Sequence, residues 1–402
     1  MKSKRVVVGL SGGVDSSVAA YLLLQEGYEV IGIFMRNWHD ESVVINQECP
    51  WIDDSNDAML VASQLGIPFQ VLDLSKAYKE RIVEYMFKEY ESGFTPNPDI
   101  LCNREIKFDV FLKAAEQLGA DFVATGHYCQ KSETVENGEV CYHLLAGVDD
   151  NKDQSYFLCQ INPSQLSKAL FPIGHLQKSE VRRMAREINL PTAEKKDSQG
   201  LCFIGKVKLP VFLQQQLAPK EGNIIYVTPT DFLTVGSHLV KTQGVWNDDD
   251  RKWSAQDVNW SDIKGIWVGK HQGAHYYTVG QRKGLGIGGF KEPLFILATD
   301  TKTNTVYVGE GENHPGLFRS VIFIPESEQS WLQSKIQFFQ DKKSCQMEVR
   351  IRYRQPLETA VIFQEQDGIY IEFDQPQRAV ARGQFAAWYR NNELIGSGKM
   401  IL

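Results

Sequence analysis

Three short stretches of the 402-residue chain bring together residue types that can do chemistry. The first is VVVGLSGGVDSS, Val6–Ser17. An apolar run ends in two glycines and three serines, and a helix-like pattern starts at once. The glycines let the backbone turn tightly, Ser11, Ser16 and Ser17 offer hydroxyls, and the helix start offers free N–H groups and a positive dipole end. This is a cradle for an anion such as a phosphate. It lacks the Gly-Lys-Ser/Thr of a Walker A loop, so γ-phosphoryl transfer is not indicated. The second stretch is TPNPDILCN, Thr95–Asn103. If its end enters a helix, Asp99 and Cys102 lie three apart on one face, suited to acid/base and nucleophile. A cysteine at a helix start also has its thiolate favoured. Taken alone, the same residues read more readily as an Asp cap followed by a buried cysteine. The third stretch is KKDSQGLCFIG, Lys195–Gly205, where Cys202 stands among Gly, Ser and Lys, a setting that keeps a thiol reactive.

The elements that must position these residues alternate between strand and helix through the first half. Strands are expected over 6–10, 30–35, 69–74 and 122–125, and helices over 15–25, 57–65, 78–90 and 103–118. That order predicts an α/β fold, a doubly wound parallel sheet with its ligand beyond the carboxyl ends of the strands. From about Lys208 the pattern turns to short alternating segments with Gly, Asn and Asp turns, as in all-β structure. Three domains are expected: 1–207, a nucleotide-binding catalytic domain; 208–290, a small β-rich domain; and 291–402, a β-barrel. Near the C-terminus, strand alternation over VRIRYR would place Arg350, Arg352 and Arg354 on one face, about 6.6 Å apart, near the spacing of successive phosphates.

Composition limits the classes of function. Apolar residues make up 43 % and charged residues 23 %, which excludes global disorder. No apolar run reaches the length of a membrane span, and the start MKSKRVVVGLSGG lacks the long apolar region of a secretory signal, so the cytoplasm is expected. Seven cysteines, odd in number and without a C-x-x-C pair, fit reduced thiols better than a disulfide scaffold. The net charge of −7 opposes nucleic-acid binding by the whole molecule, so an anionic partner must meet a local basic patch.

S-G-G-x-D-S after a first strand resembles the pyrophosphate loop of the ATP pyrophosphatase family, whose members split ATP to AMP and pyrophosphate. The motifs P-N-P-D-x-L-C-N, A-T-G-H-Y, N-K-D-Q-S-Y-F-L, K-K-D-S-x-G-L-C-F-I-G, G-Q-R-K-G-L-G-I-G-G and R-Y-R-Q follow in one order over most of the chain. Together these resemble the bacterial tRNA-uridine 2-sulfurtransferases, the 2-thiouridylases. The resemblance implies ATP as cosubstrate with magnesium on its phosphates, and contacts to the nucleotide from Gly9, Leu10, Ser11, Gly12, Gly13, Val14, Asp15 and Ser16, from Met35 and from Gly126. It implies Cys202 as the persulfide carrier, Cys102 as the nucleophile, a Cys102–Cys202 disulfide in the cycle, and Asp99 as acid/base. Asn97, Pro98 and Asp99 would touch the target base, and His127, Lys152, Asp153, Gln154, Arg352, Tyr353 and Gln384 other parts of the tRNA. The implied substrates are the wobble uridines of lysine, glutamate and glutamine tRNAs. The implied sulfur source is a persulfide-bearing protein, a cysteine desulfurase or relay; a monomer is expected.

Other patterns do not hold up. Gly284, Gly286 and Gly289 fit G-x-G-x-x-G, but Gln281, Arg282 and Lys283 precede them where an apolar strand should be. His271 and His275 enclose Gly273 in a strand-like context, unlike a zinc helix. Trp246, Trp253, Trp260 and Trp267 recur every seven residues in a composition poor for a helix, which suggests a locally packed insert. The chain departs from the family pattern near 229–266, where it is longer and carries Asp248, Asp249 and Asp250. Two further readings share the loop: an amide-forming ligase that adenylates a carboxylate, and a non-catalytic RNA-binding or sulfur-carrier protein.

Overall fold

The structure is a computed structural model and describes residues 3–37, 50–136, 138–197, 209–241, 246–339 and 343–401. Its first part is a five-stranded, all-parallel sheet with the order β3-β2-β1-β4-β7. The strands are β1 (Arg5–Gly9), β2 (Glu29–Arg36), β3 (Phe69–Asp73), β4 (Phe122–Ala124) and β7 (Ala169–Leu170). Central strands buried on both faces need apolar residues at every position. In β1, Val7 faces one core with Ile33, Met35 and Val123, while Val6 and Val8 face another with Val30, Phe34 and Ala124. Strand order reverses between β1 and β4, and there the loop after β1 turns into helix α1 (Val14–Gln25).

A hairpin interrupts this domain. Strands β5 (Cys129–Glu136) and β6 (Glu139–Ala146) pair with each other, and β6 then pairs with β18 (Glu393–Lys399), Leu144 opposite Leu394. The hairpin thereby enters a nine-stranded antiparallel sheet with β12 (Phe318–Pro325), β13 (Gln329–Trp331), β14 (Ser344–Arg350), β15 (Glu358–Gln364), β16 (Gly368–Arg378) and β17 (Phe385–Arg390). Its own core is built on Ile322, Val349, Ile362, Ile371 and the fully buried Trp388.

The middle sheet has the order β10-β11-β8-β9, from β8 (Gly222–Tyr226), β9 (Ile266–His271), β10 (Leu294–Asp300) and β11 (Thr305–Glu310). Two boundaries expected from the sequence move. The strands 294–310 pair with 222–271, so the break lies between Glu310 and Phe318 rather than at 290. Phe212 stacks on Phe87 at 5.2 Å and shares the first domain's core with Leu213 and Leu217, so residues 209–217 still belong to the first domain. Residues 229–241 and 246–266 pack onto the middle sheet rather than on themselves alone: Phe232, Leu239, Val258 and Ile263 share one core with Phe295, Leu297 and Tyr307, and Trp260 lies against both Phe232 and Tyr307. The seven-residue tryptophan spacing has no common face; Trp253 and Trp267 are exposed, whereas Trp246 packs beside Val321 and Tyr370.

Candidate nucleotide and sulfur-transfer site

The loop after β1 is shaped by close approaches. Gly12 has φ +72°, and a Cβ there would lie 2.2 Å from the carbonyl oxygen of Asp54. Gly126, just beyond β4, packs so tightly that a Cβ would lie 2.6 Å from the backbone nitrogen of Ser16. The Ser16 hydroxyl accepts from the Ser11 N–H at 3.1 Å and lies 3.1 Å from the Ser11 hydroxyl; the Ser17 hydroxyl donates to Gly13 O at 2.8 Å. Helix α1 starts from Gly13 with no side-chain cap. An uncapped helix start behind a glycine turn leaves N–H groups for an anion, so these residues fit a nucleotide's phosphates. The Met35 side chain packs on Gly9, where a Cβ would be 3.0 Å from its methyl carbon.

Around this cradle runs a chain of charges. Lys178 Nζ binds both carboxylate oxygens of Asp15, at 2.7 and 2.8 Å, and Asp197 at 2.8 Å. Asp197 also takes Lys152 at 2.7 Å and Arg182 at 3.0 Å. Burial alone would raise the Asp197 carboxyl, but hydrogen bonds and charge from Lys152 and Lys178 outweigh it and hold the group well below the usual range. Asp15 accepts from the Tyr128 hydroxyl at 2.7 Å, and Lys195 reaches Asp54 and Asp57 at 2.6 and 2.5 Å. The KKD segment, spotted for its cysteine, is thus fastened beside the glycine loop. Sequence reasoning missed Lys178, Arg182 and Tyr128; Tyr128 stands inside the A-T-G-H-Y motif that supplied Gly126 and His127. Cys202 lies outside the described residues, so its approach to Cys102 does too.

Pro98 opens a helix, Pro98–Leu101, that continues as the π-helical Cys102–Val110 and then Phe111–Gln117. Asn97 caps it by accepting from the Ile100 N–H at 3.3 Å. Asp99 and Cys102 do stand one turn apart. Cys102 is fully buried in the core that holds Met35, and its own N–H donates to Pro98 O and Asp99 O. It therefore sits inside the helix, not at the open end that the sequence suggested. π-Helical turns recur at functional sites because they re-aim side chains.

The expected RNA contacts divide. The strand argument for Arg350, Arg352 and Arg354 fails: β14 ends at Arg350, the Gln355 side chain accepts from the Ile351 N–H at 3.1 Å and turns the chain, and Arg354 has φ +62°. Arg350 is buried and binds Asp153 at 3.0 Å. The carboxylate of Asp153 is committed besides to the N–H groups of Gly147 and Ser155 and the Ser155 hydroxyl. The Arg352 guanidinium donates to the carbonyls of Arg378 and Ala379. Gln154 accepts from the Tyr128 N–H at 3.0 Å. His127 is buried, its Nδ1 2.7 Å from the Thr125 hydroxyl; burial, then the charge of Lys107, pushes its pKa well below the ordinary value, so it is neutral. Gln384 donates to Thr95 O and Pro96 O at 3.0 and 3.2 Å and accepts from Asn97 at 3.2 Å. Both ends of its amide serve the Thr95–Asn97 turn. The Tyr353 ring packs against Phe157 at a tilt of 42°, with ring centres 4.2 Å apart.

A parallel sheet with a glycine loop at its switch point and a charge chain around that loop is the arrangement of the pyrophosphate-loop class. Family models match in three blocks: a tRNA methyl transferase HUP domain over residues 4–206, a tRNA methyl transferase PRC-barrel domain over 254–310, and an aminomethyltransferase beta-barrel domain over 324–400. The chain is 62 % identical to the tRNA-specific 2-thiouridylase MnmA of Flavobacterium johnsoniae and 59 % to that of Christiangramia forsetii, each over 98 % of this chain and 99 % of the relative. It belongs to the tRNA-specific 2-thiouridylase MnmA family. Among solved structures, a 4-thiouridine synthetase in complex with RNA and ATP is 19 % identical over 53 % of this chain and 50 % of that one, with a TM-score of 0.32.

Proposed function

We propose that the protein replaces O2 of the wobble uridine of tRNA with sulfur, using ATP to activate that oxygen. The observation that carries this reading is the convergence on Asp197, which ties the segment leading to Cys202 to Lys178, and through it to Asp15 of the phosphate loop. Cys202 follows Asp197 by five residues in the sequence. A ligase that adenylates a carboxylate has no use for the two thiols of Cys102 and Cys202.

ATP supplies adenylation: O2 of the base attacks the α-phosphorus, pyrophosphate leaves, and the oxygen becomes part of a good leaving group. The N–H groups at the start of α1, with Ser11 and Ser16, receive the charge of the departing pyrophosphate. Gly126 lets the β4 end approach closely enough to close the nucleotide pocket, and Met35 lies on the adenine side. Magnesium bound with the nucleotide would supply charge neutralisation on its phosphates; among the described residues no group of three His, Cys, Asp or Glu would hold it apart from them. The uridine leaves the anticodon stack to enter, held by Asn97, Pro98 and Asp99, with Lys152 and Tyr353 on the RNA outside. Asp99, one turn before Cys102, takes its proton. The Cys102 thiolate attacks the inner sulfur of the Cys202 persulfide. That S–S bond breaks, the terminal sulfur leaves as hydrosulfide, and it adds to C2 as AMP departs with the oxygen. The remaining Cys102–Cys202 disulfide is reduced by an external dithiol, and a persulfide-bearing protein reloads Cys202. Reduced thiols between turnovers require the cytoplasm. A monomer suffices, since Gln384 and the turn it holds belong to one chain.

Incubation with unmodified glutamate or lysine tRNA, Mg-ATP, a cysteine desulfurase with cysteine as persulfide source, and a dithiol reductant, followed by AMP assay and nucleoside mass spectrometry, tests this reading. One thiolated uridine per AMP, lost in Cys102→Ser and Cys202→Ser, is expected. AMP without thiolation that persists in both variants would overturn it in favour of another adenylating enzyme.

A further inference from the structure

The stretch near 229–266 that lengthens this chain grips the C-terminal sheet at three places. Glu372 of β16 takes Lys241 at 2.5 Å and Arg251 at 3.6 Å, and the buried Arg251 guanidinium lies 3.6 Å over the Phe363 ring. Glu365, just after β15, takes Lys252 at 3.3 Å. The third grip reaches furthest toward the site. Arg319 of β12 donates to Gln256 O and to one carboxylate oxygen of Asp257, each at 3.1 Å, and Arg382 donates to the other carboxylate oxygen. Burial lowers the Arg319 guanidinium to about 10; of its two charged neighbours, Asp257 supports the cation and Arg382 opposes it.

Arg382 stands in the turn before β17, and that turn meets the one before Asp99. The Arg382 carbonyl accepts from the Thr95 N–H at 2.7 Å. Gly383, with φ +87°, comes so close that a Cβ there would lie 2.9 Å from Thr95 O. From the middle domain, the Thr278 hydroxyl lies 3.2 Å from that of Thr95. All three domains therefore meet at Thr95. Beside this meeting point is a cavity of about 370 Å³, lined in part by Thr95, Asp257, Tyr277, Arg319 and Arg382. A cavity wall lacks packing on one side, so hydrogen bonds and charge are left to fix its position.

The geometry points to Asp257 as a positioning residue for sulfur transfer: it holds Arg319 and Arg382 together, and through the Arg382 carbonyl it fixes the Thr95–Asn97 turn that leads into Asp99 and Cys102. The inference rests on the thiolation reading above and gives the lengthened middle segment a task in it. Without the carboxylate charge, two neighbouring guanidiniums repel each other. Arg382 then moves, and its carbonyl and Thr95 move with it. Misplacement behind the reacting groups lowers the rate and leaves tRNA affinity unchanged.

Asp257→Asn is the informative variant; the Asp257 side chain is exposed, so the substitution leaves no buried gap. Asp257→Glu keeps the charge, and Lys252→Ala cuts a different grip of the same segment. The measurements are single-turnover thiolation, tRNA Kd, melting temperature, and the rate at which iodoacetamide labels Cys102, mapped by peptide mass spectrometry. Cys129 and Cys159, buried in the same core as Cys102, serve as references. For Asp257→Asn the expected results are a rate about fivefold lower, Kd within about twofold of wild type, and labelling about threefold faster at Cys102 but unchanged at Cys129 and Cys159. Asp257→Glu should recover most of the rate and the slow labelling, and Lys252→Ala should match wild type throughout. Wild-type rate and labelling in Asp257→Asn would overturn the assignment. So would faster labelling of all three cysteines with a lower melting temperature, which would mark a general loss of stability, or a raised Kd at unchanged rate. The labelling requires no turnover: if wild-type protein fails to thiolate tRNA, the thiolation reading falls, while Cys102 labelling still decides whether Asp257 holds the turn.

Discussion

Asn97 and Gln384 are 287 residues apart in sequence, and their side-chain amides meet at 3.2 Å. Two further hydrogen bonds from Gln384, to Thr95 O and Pro96 O, make the C-terminal sheet the holder of the turn before Cys102. Gln384→Ala removes three hydrogen bonds, each worth about 1 kcal/mol. Thiolation should fall at least tenfold in kcat while tRNA Kd stays near wild type, as single-turnover assays and tRNA titrations can establish. A raised Kd with unchanged kcat would make Gln384 an RNA contact instead.

Gly126→Ala forces a methyl against the Ser16 nitrogen at 2.6 Å and the Asp15 carbonyl carbon at 2.8 Å, both on the first turn of α1. Overpacking of this kind costs about 1–3 kcal/mol. Calorimetric titration should find ATP affinity reduced at least tenfold, with tRNA affinity retained.

Arg350→Ala leaves the Asp153 carboxylate buried without its counter-charge. The expected loss is about 3–5 kcal/mol of stability, measured by denaturant unfolding. Arg350→Met combined with Asp153→Asn should recover most of it. That asymmetry is the mark of a buried ion pair, and an exposed RNA-facing arginine would not produce it.

His127 carries a pKa held well below its unfolded value, chiefly by burial. For a base whose folded pKa is depressed, the unfolded chain binds the extra proton first. The stabilising contribution is therefore complete above about pH 6.5 and lost as the pH falls, at about 1.4 kcal/mol per unit. His238, His271, His275 and His314 are shifted the same way. Stability should drop between pH 7 and pH 5, and His127→Gln should make that slope shallower by about one proton.

Four strands of the parallel sheet were legible because they obey a local rule, as where Val6, Val7 and Val8 form an uninterrupted apolar run and Gly12 and Gly13 mark the turn that follows; the two-residue edge strand Ala169–Leu170 was too short to show one. Helix α1 begins one residue before its expected start. The phosphate loop was legible for the same reason, since glycine spacing and helix capping act within ten residues. What escaped were relations set by tertiary contact. Lys178 looks like any helix-start lysine until Asp15 and Asp197 converge on it from opposite sides. Arg350, Arg352 and Arg354 seemed to share a strand face because alternation assumes that the strand continues, and the Gln355 side chain ends it. The boundary placed at 290 failed because β11 pairs in parallel with β8, some eighty residues earlier, and no local pattern encodes that pairing.

The pairing of β6 with β18 has a consequence for the birth of the molecule. As the chain emerges from the ribosome, the catalytic half can close its parallel sheet early, but Leu144 and Leu145 sit on an open strand edge until Glu393 and Leu394 have been made. Such an edge invites wrong partners. The hairpin's outer strand carries Lys131, Glu133 and Glu136, charges that discourage pairing on that side during the wait. A truncation that removes the C-terminal strand should therefore aggregate through this hairpin rather than yield a soluble catalytic domain.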